Sequence, residues 1–270
     1  MTTGPESERD RDKRHHQRTL FDAIAERYDE SRPGYPPRVT EFVTTTATLA
    51  PGSAILEIGC GAGQLTEQLA GHGFRLTAID IGPSMITAAR RRLAKADVSF
   101  QVTSFEDLAA PDESFDLIIS SAAFHWIDPE IALSKSARLL PPGGWLALLG
   151  TEERYDHPLG TTLDDLWIRH GDTKGAWDRR PSDPDAIAAT GLFEPPVRLT
   201  DENQAILTAS EIISLESTRA TFLSWPLDTQ RRFTEDLRRA LELTPTVHLT
   251  RQTSVTMAQV PGDRGVGTGE

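Results

Sequence analysis

The residues best placed for chemistry in this 270-residue chain form the run Glu57-Ile58-Gly59-Cys60-Gly61-Ala62-Gly63. An apolar segment, SAILEI (53–58), precedes it, and a helical pattern with Leu65 and Leu69 follows. Glycines let the chain turn tightly and let a ligand touch the backbone. A helix starting there offers N–H groups to electronegative atoms. The spacing argues against two phosphate binders. A dinucleotide fingerprint needs a sixth-position glycine counted from Gly59, where Gln64 stands, and no Lys-Ser/Thr pair follows as in a P-loop. The pattern is acid-x-G-x-G-x-G. Seventeen positions after Gly63, Asp80 ends the next apolar segment. A carboxylate there can accept both hydroxyls of a ribose. Met85 and Phe105 follow successive segments and could flank a planar base. Singly, Asp80 also reads as a helix cap, and Met85 and Phe105 as core. As a set on one sheet edge the ligand reading prevails, because α/β sheets bind ligands there.

Those residues need a scaffold, and the hydrophobic pattern supplies one. Leu20, Phe21, Ile24, Ala25 and Tyr28 fall on one helical face, which Pro33, Pro36 and Pro37 break. Pro37 opens a second helix with Val39, Phe42 and Val43 inward. FRLTAID (74–80), DVSFQVT (97–103), SFDLIISS (114–121) and WLALLG (145–150) read as strands. Pro83 opens a helix to about Ala96, and Pro129 one to Leu140. Strand and helix alternating over short links make a parallel sheet with right-handed crossovers. After Gly150 the rhythm changes. Residues 151–192 are polar, read as one or two helices, and carry Trp167 and Trp177. Strands are expected at 197–208 and 246–258, with helices near 209–223 and 227–243 between them. The expected organisation is a mobile tail over 1–14, a single domain over 15–259 and a second tail over 260–270. Within the domain, 15–50 is a helical lid, 51–150 the ligand-binding core, 151–192 a substrate-side insertion and 193–259 a sheet extension.

Composition bounds the function. Hydrophobic residues make up 38% and charged residues 25%, enough for one sizeable core without a staple. Cys60 is the sole cysteine, so neither an intramolecular disulfide nor a cysteine-based zinc site is possible. The scattered histidines suggest no metal site. A net charge of -12 argues against a nucleic-acid surface. The mixed basic run Arg9 to Arg18 reads as a solvated tail, and Arg231, Arg232, Arg238 and Arg239 as one wet helix face. No membrane-length apolar run and no signal-like N-terminus are present, so the expected location is cytoplasmic.

ILEIGCGAGQLT, LTAIDIGPSM, TSFEDL and SFDLIISSAAFHWID resemble, in order and spacing, the motifs of class I S-adenosylmethionine-dependent methyltransferases. FDAIAERYDESRPGYP and AFHWID resemble the small-molecule branch that includes trans-aconitate and ubiquinone/menaquinone methyltransferases. The resemblance implies an α/β, Rossmann-like, doubly wound seven-stranded sheet, mostly parallel with an antiparallel last strand, plus a helical lid. It implies S-adenosyl-L-methionine as cofactor and a small organic molecule as acceptor of a methyl group on O, N or C. The alternatives are the same cofactor site running another reaction, such as a cyclisation, or a non-catalytic cofactor-binding protein.

The resemblance also implies roles. Glu57 faces the cofactor's amino group; Gly59, Gly61 and Gly63 admit its methionine and ribose portions; Asp80 binds the ribose hydroxyls. Ile81, Met85 and Phe105 enclose the adenine, and Glu106 or the nearby backbone reads its amine. Ser121 and Ala122 lie beside the sulfonium and the substrate, with Tyr35, His125 and Trp126 on the substrate side. Tyr28 or Arg32 holds the methionine carboxylate, though Tyr28 reads equally as an inward helix face. His125 reads either as a general base, since imidazole titrates near neutrality, or, the favoured reading, with Trp126 as packing at the next helix. The substrate and the oligomeric state are not written in the sequence.

Overall fold

The computed structural model describes residues 19–171, 183–242, 244 and 246–262. Its strands are β1 (Ala54–Ile58), β2 (Arg75–Asp80), β3 (Val98–Val102), β4 (Leu117–Ser121), β5 (Trp145–Tyr155), β6 (Val197–Thr208) and β7 (Thr246–Gln259). They form one sheet in the order β3-β2-β1-β4-β5-β7-β6. β1 to β5 pair in parallel. β7 runs antiparallel to both β5 and β6, so the last strand is the reversed one. The order turns back between β1 and β4, so the chain after β1 and the chain after β4 leave the same edge in opposite directions. That divergence opens a crevice at the carboxyl end of the strands.

Both faces of the central strands are covered, which is why they read as unbroken apolar runs; all five residues of β1 are buried. Ile55 packs with Val39, Val43, Leu65 and Leu69, whereas Leu56 packs on the other face with Phe105 and Leu139. The helices concerned are α1 (Ala25–Ser31), α2 (Pro37–Thr46), α3 (Gln64–Leu69), α4 (Pro83–Arg92) and α5 (Pro129–Leu139). Pro37 and Pro83 stand in the first helical turn, where the missing N–H costs nothing. Beyond β5 come α6 (Leu159–Arg169), α7 (Pro184–Ala188), α8 (Ala209–Glu216), α9 (Ala220–Ser224) and α10 (Leu227–Leu241). A separate apolar cluster joins α6, α8 and α10 around Trp167 and Phe233.

Four expectations are corrected. β5 runs on to Tyr155, because five of its eleven residue pairs with β7 hold Thr151 to Tyr155 extended instead of helical. The N-terminal helix is interrupted by a 3₁₀ turn at Asp22–Ile24, whose aspartate bonds elsewhere. α4 stops at Arg92, and the helix expected over 209–223 divides into α8 and α9. Trp177, the run Arg9 to Arg18 and most of both tails lie outside the described residues. Among the described residues, no helix is long and apolar enough to cross a membrane, and no group of three or more His, Cys, Asp or Glu could hold a metal ion.

Candidate functional site

The crevice is a cleft of about 740 Å³, open to solvent at its mouth. Asp80 sits on one wall. Its Oδ2 accepts from the Gly61 N–H at 2.9 Å and its Oδ1 from the Gly82 N–H at 2.8 Å. The carboxylate thus pins the glycine turn to the start of α4. Ile81, Met85 and Phe105 belong to the apolar part of the lining, which also includes Gly59, Tyr28, Ser121, Ala122 and Trp126.

The three glycines do three different things. Gly61 has φ +54, and a Cβ there would stand 3.8 Å from the Tyr28 ring, on the cleft wall. A Cβ on Gly59 would lie 2.2 Å from the Ala123 Cβ. A Cβ on Gly63 would lie 2.8 Å from Leu93 Cδ1 and 3.2 Å from Ala89 Cβ, so Gly63 lets α3 pack against α4 and does not line the cleft. Gly59→Ala is therefore expected to cost about 3 kcal/mol or more, from a left-handed alanine (~1–2 kcal/mol) and an overpacked contact (~1–3 kcal/mol). Ala123→Gly in the same chain should recover the contact part. Urea midpoints of the two single variants and the double variant measure the coupling, and strict additivity would contradict it.

Six expected site residues stand outside the lining. Glu57 is buried on β1 behind the turn, where its Oε2 accepts from Thr66 Oγ1 at 2.6 Å. Burial, helped by the Asp80 charge and opposed by the Thr66 hydrogen bond, pushes its carboxyl up to about 8. Tyr35 reaches the site through Ser121, donating to its Oγ at 2.6 Å. Burial raises the Tyr35 phenol well above its ordinary value, so it remains a donor. Arg32 lies over the Tyr28 ring, 5.5 Å from its centroid, and donates from Nε to Thr218 Oγ1 at 3.1 Å. Glu106 is drawn toward the next helix, accepting from the Asp128 N–H. His125 packs on Trp126 with ring centroids 4.6 Å apart, which supports the packing reading. Gly63 is the sixth. Trp167 and Trp225 sit in the cluster around Phe233, outside the cleft lining.

Sequence reasoning missed Phe21 and Asp22. Asp22 Oδ1 accepts from the Ser84 N–H at 2.7 Å and the Met85 N–H at 3.2 Å, capping α4 from another segment. Phe21 contacts Tyr28 and Trp126 edge-on, at 5.9 and 6.4 Å between centroids. Together they draw the N-terminal segment over the cleft. A cap supplied from 62 positions away leaves no local signature. Ala122 is a further feature: its φ of 51 puts a non-glycine residue in the left-handed region on the cleft wall.

The site suits the group that the motifs imply. A carboxylate beside an apolar slot matches a nucleoside, with hydroxyls on one side and a flat base on the other. Gly61 leaves open the space that a Cβ would fill.

The comparisons with known proteins agree with this geometry. Residues 56–148 match the methyltransferase domain family. An uncharacterized methyltransferase of Mycobacterium tuberculosis is 28% identical over 228 residues, covering 83% of this chain and 86% of the relative. A ubiquinone biosynthesis O-methyltransferase of Xanthomonas euvesicatoria is 38% identical over 138 residues, covering 47% of this chain and 57% of the relative. In fold, the chain is similar to a candidate type II methyltransferase from Anaeromyxobacter dehalogenans, with a TM-score of 0.62 and 21% identity over 85% of this chain and 99% of the other.

Proposed function

We propose that this chain, a member of the S-adenosylmethionine-dependent methyltransferases, methylates a small organic molecule. The observation that carries the reading is the lining of the cleft: Phe21, Tyr28 and Trp126, in contact with one another through Phe21, line the apolar slot beside Asp80. The local likeness to an enzyme named for ubiquinone biosynthesis agrees with a small acceptor, and the net charge of -12 is unfavourable for nucleic acid.

The residues that would hold S-adenosylmethionine are Asp80 for the ribose hydroxyls, Ile81, Met85 and Phe105 for the adenine, Gly59 and Gly61 for close backbone approach, and Glu57 for the amino group. Bound there, the cofactor supplies a methyl group already activated by its sulfonium. The protein's part is positioning and the exclusion of water, which can account for most of the rate. Phe21, Tyr28 and Trp126 supply apolar walls. Ser121 Oγ, held by the Tyr35 hydroxyl, is placed to accept a hydrogen bond from the acceptor or donate one to it. A dedicated base is not required, since the sulfonium already activates the methyl group.

Incubation with methyl-labelled S-adenosylmethionine and fractions of small metabolites, nucleic acid and protein tests the reading. Label is expected in a small organic product. Label confined to nucleic acid or protein would overturn it. Turnover of an acceptor with the cofactor unchanged would favour a cyclisation-type reaction, and cofactor binding with no product of any kind a non-catalytic role.

A further inference from the structure

The turn after β3 carries Phe105, which lines the cleft although it is almost fully buried. Two sets of contacts shape this turn. Within it, Ser104 Oγ donates to Asp107 Oδ2 at 2.7 Å and accepts from the Asp107 N–H at 3.0 Å, and the Leu108 N–H donates to the Ser104 carbonyl at 3.0 Å. From α5, Lys135 reaches across to it. Its Nζ donates to the Glu106 carbonyl at 2.9 Å and to the Leu108 carbonyl at 2.8 Å. The same ammonium stands 5.2 Å from the centroid of the Phe105 ring.

Nothing in the methyl-transfer step uses this lysine, and it is not among the residues that line the cleft. Packing does not call for it either. Phe105 and Leu108 already share an apolar cluster with Ala132 and Leu139 of α5. A half-buried ammonium beside that cluster gives up hydration, which two carbonyls and the face of a ring replace. Its three donors let one cation hold both carbonyls while it faces the ring. A neutral amine at the same place would grip more weakly, because charge-assisted hydrogen bonds are the stronger kind.

Building on the assignment of the adenine to Ile81, Met85 and Phe105, we propose that Lys135 in its charged form is a positioning residue for the cofactor's adenine. It acts from outside the cleft, by holding residues 104–108 and the Phe105 ring in the arrangement that receives the base. Fixing them before the base arrives lowers the ordering cost of binding. Burial, with Arg138 adding to it, brings the Lys135 ammonium below its ordinary value of 10.5, against the pull of Glu106 and Asp107. Nucleoside affinity therefore falls as pH rises through that lowered value.

The test uses the full chain and 5′-methylthioadenosine, which carries the adenosine without the amino acid and its titrating amine. Calorimetry on Lys135→Met at pH 7 should show a loss of affinity of roughly fivefold or more, and Lys135→Arg, which keeps the charge, should recover part of it. Between about pH 7 and 10 the parent should fall toward the affinity of Lys135→Met, while Lys135→Met stays flat. Equal affinities at pH 7, or a parallel fall in parent and Lys135→Met, would overturn the proposal and leave Lys135 a tie between α5 and the turn. A second readout needs no variant. Acetylation of the parent, followed by peptide mass spectrometry, should slow at Lys135 by roughly threefold or more on nucleoside binding, relative to exposed Lys95. An unchanged ratio would overturn the proposal even if Lys135→Met fails to fold. Failure of both 5′-methylthioadenosine and S-adenosylhomocysteine to bind the parent would sink the cofactor reading itself, and this proposal with it.

Discussion

Asp80→Ala is expected to weaken S-adenosylhomocysteine binding by roughly tenfold to a hundredfold, on the order of the 1.5–3 kcal/mol of a charged hydrogen bond. Two losses combine. The carboxylate that would take the ribose hydroxyls disappears, and the N–H groups of Gly61 and Gly82 lose their acceptor. Asp80→Asn separates the two, since it keeps the shape and one acceptor oxygen but not the charge, so an intermediate loss is expected. Calorimetry gives the affinities, and urea unfolding of the ligand-free variants gives the structural part. Unchanged affinity in Asp80→Ala, with reduced stability, would mean that the carboxylate only ties the glycine turn to α4.

That dual role shows what the sequence could convey. Asp80 at a strand end, seventeen positions after Gly63, was legible because the βαβ unit fixes where the next strand must stop. β6 was legible at 197–208, since Val197-Arg198-Leu199-Thr200 alternates and its ends are set off by Pro196 and a capping box on Thr208 and Glu211. Local patterns of this kind survive in any sequence. Long-range ones do not. The Asp22 cap on α4 and the pairing that extends β5 to Tyr155 depend on which segments meet, and neither leaves a mark on neighbouring residues.

The same limit explains the site. Phe105, Met85 and Ile81 announce themselves by position after successive strands, and the structure sets them along one cleft. Gly63 and Gly59 fit the motif equally well, yet their hydrogens point at α4 and at Ala123, contacts that only the folded chain reveals. Arg32 was visible as a cation in the N-terminal segment. Its partners Glu153 and Thr218 lie more than a hundred positions away, so its share in a charged cluster was not.

Affinity for S-adenosylhomocysteine is expected to rise with pH between about 6 and 8, by at most tenfold per unit, and Glu57→Gln should flatten the rise. In the ligand-free protein, burial pushes the Glu57 carboxyl up to about 8, so at neutral pH it holds a proton. An ammonium group brought against it favours the carboxylate. Binding then releases that proton, and mass action makes the release easier as pH climbs toward 8. The stability of the ligand-free protein moves the other way. The folded carboxyl lies above its ordinary value of 4.5, so its contribution is complete below 4.5 and is lost as pH rises through about 8. Glu57→Gln, which carries no proton to lose, should gain on the parent in unfolding free energy across that window, by roughly a few kcal/mol at its upper end. The two readouts separate the premises. A flat affinity profile with the stability crossover intact would remove Glu57 from the ligand while leaving its buried proton. A flat stability profile would mean that the carboxylate is ionised throughout, with the Thr66 hydroxyl sufficient to hold the charge.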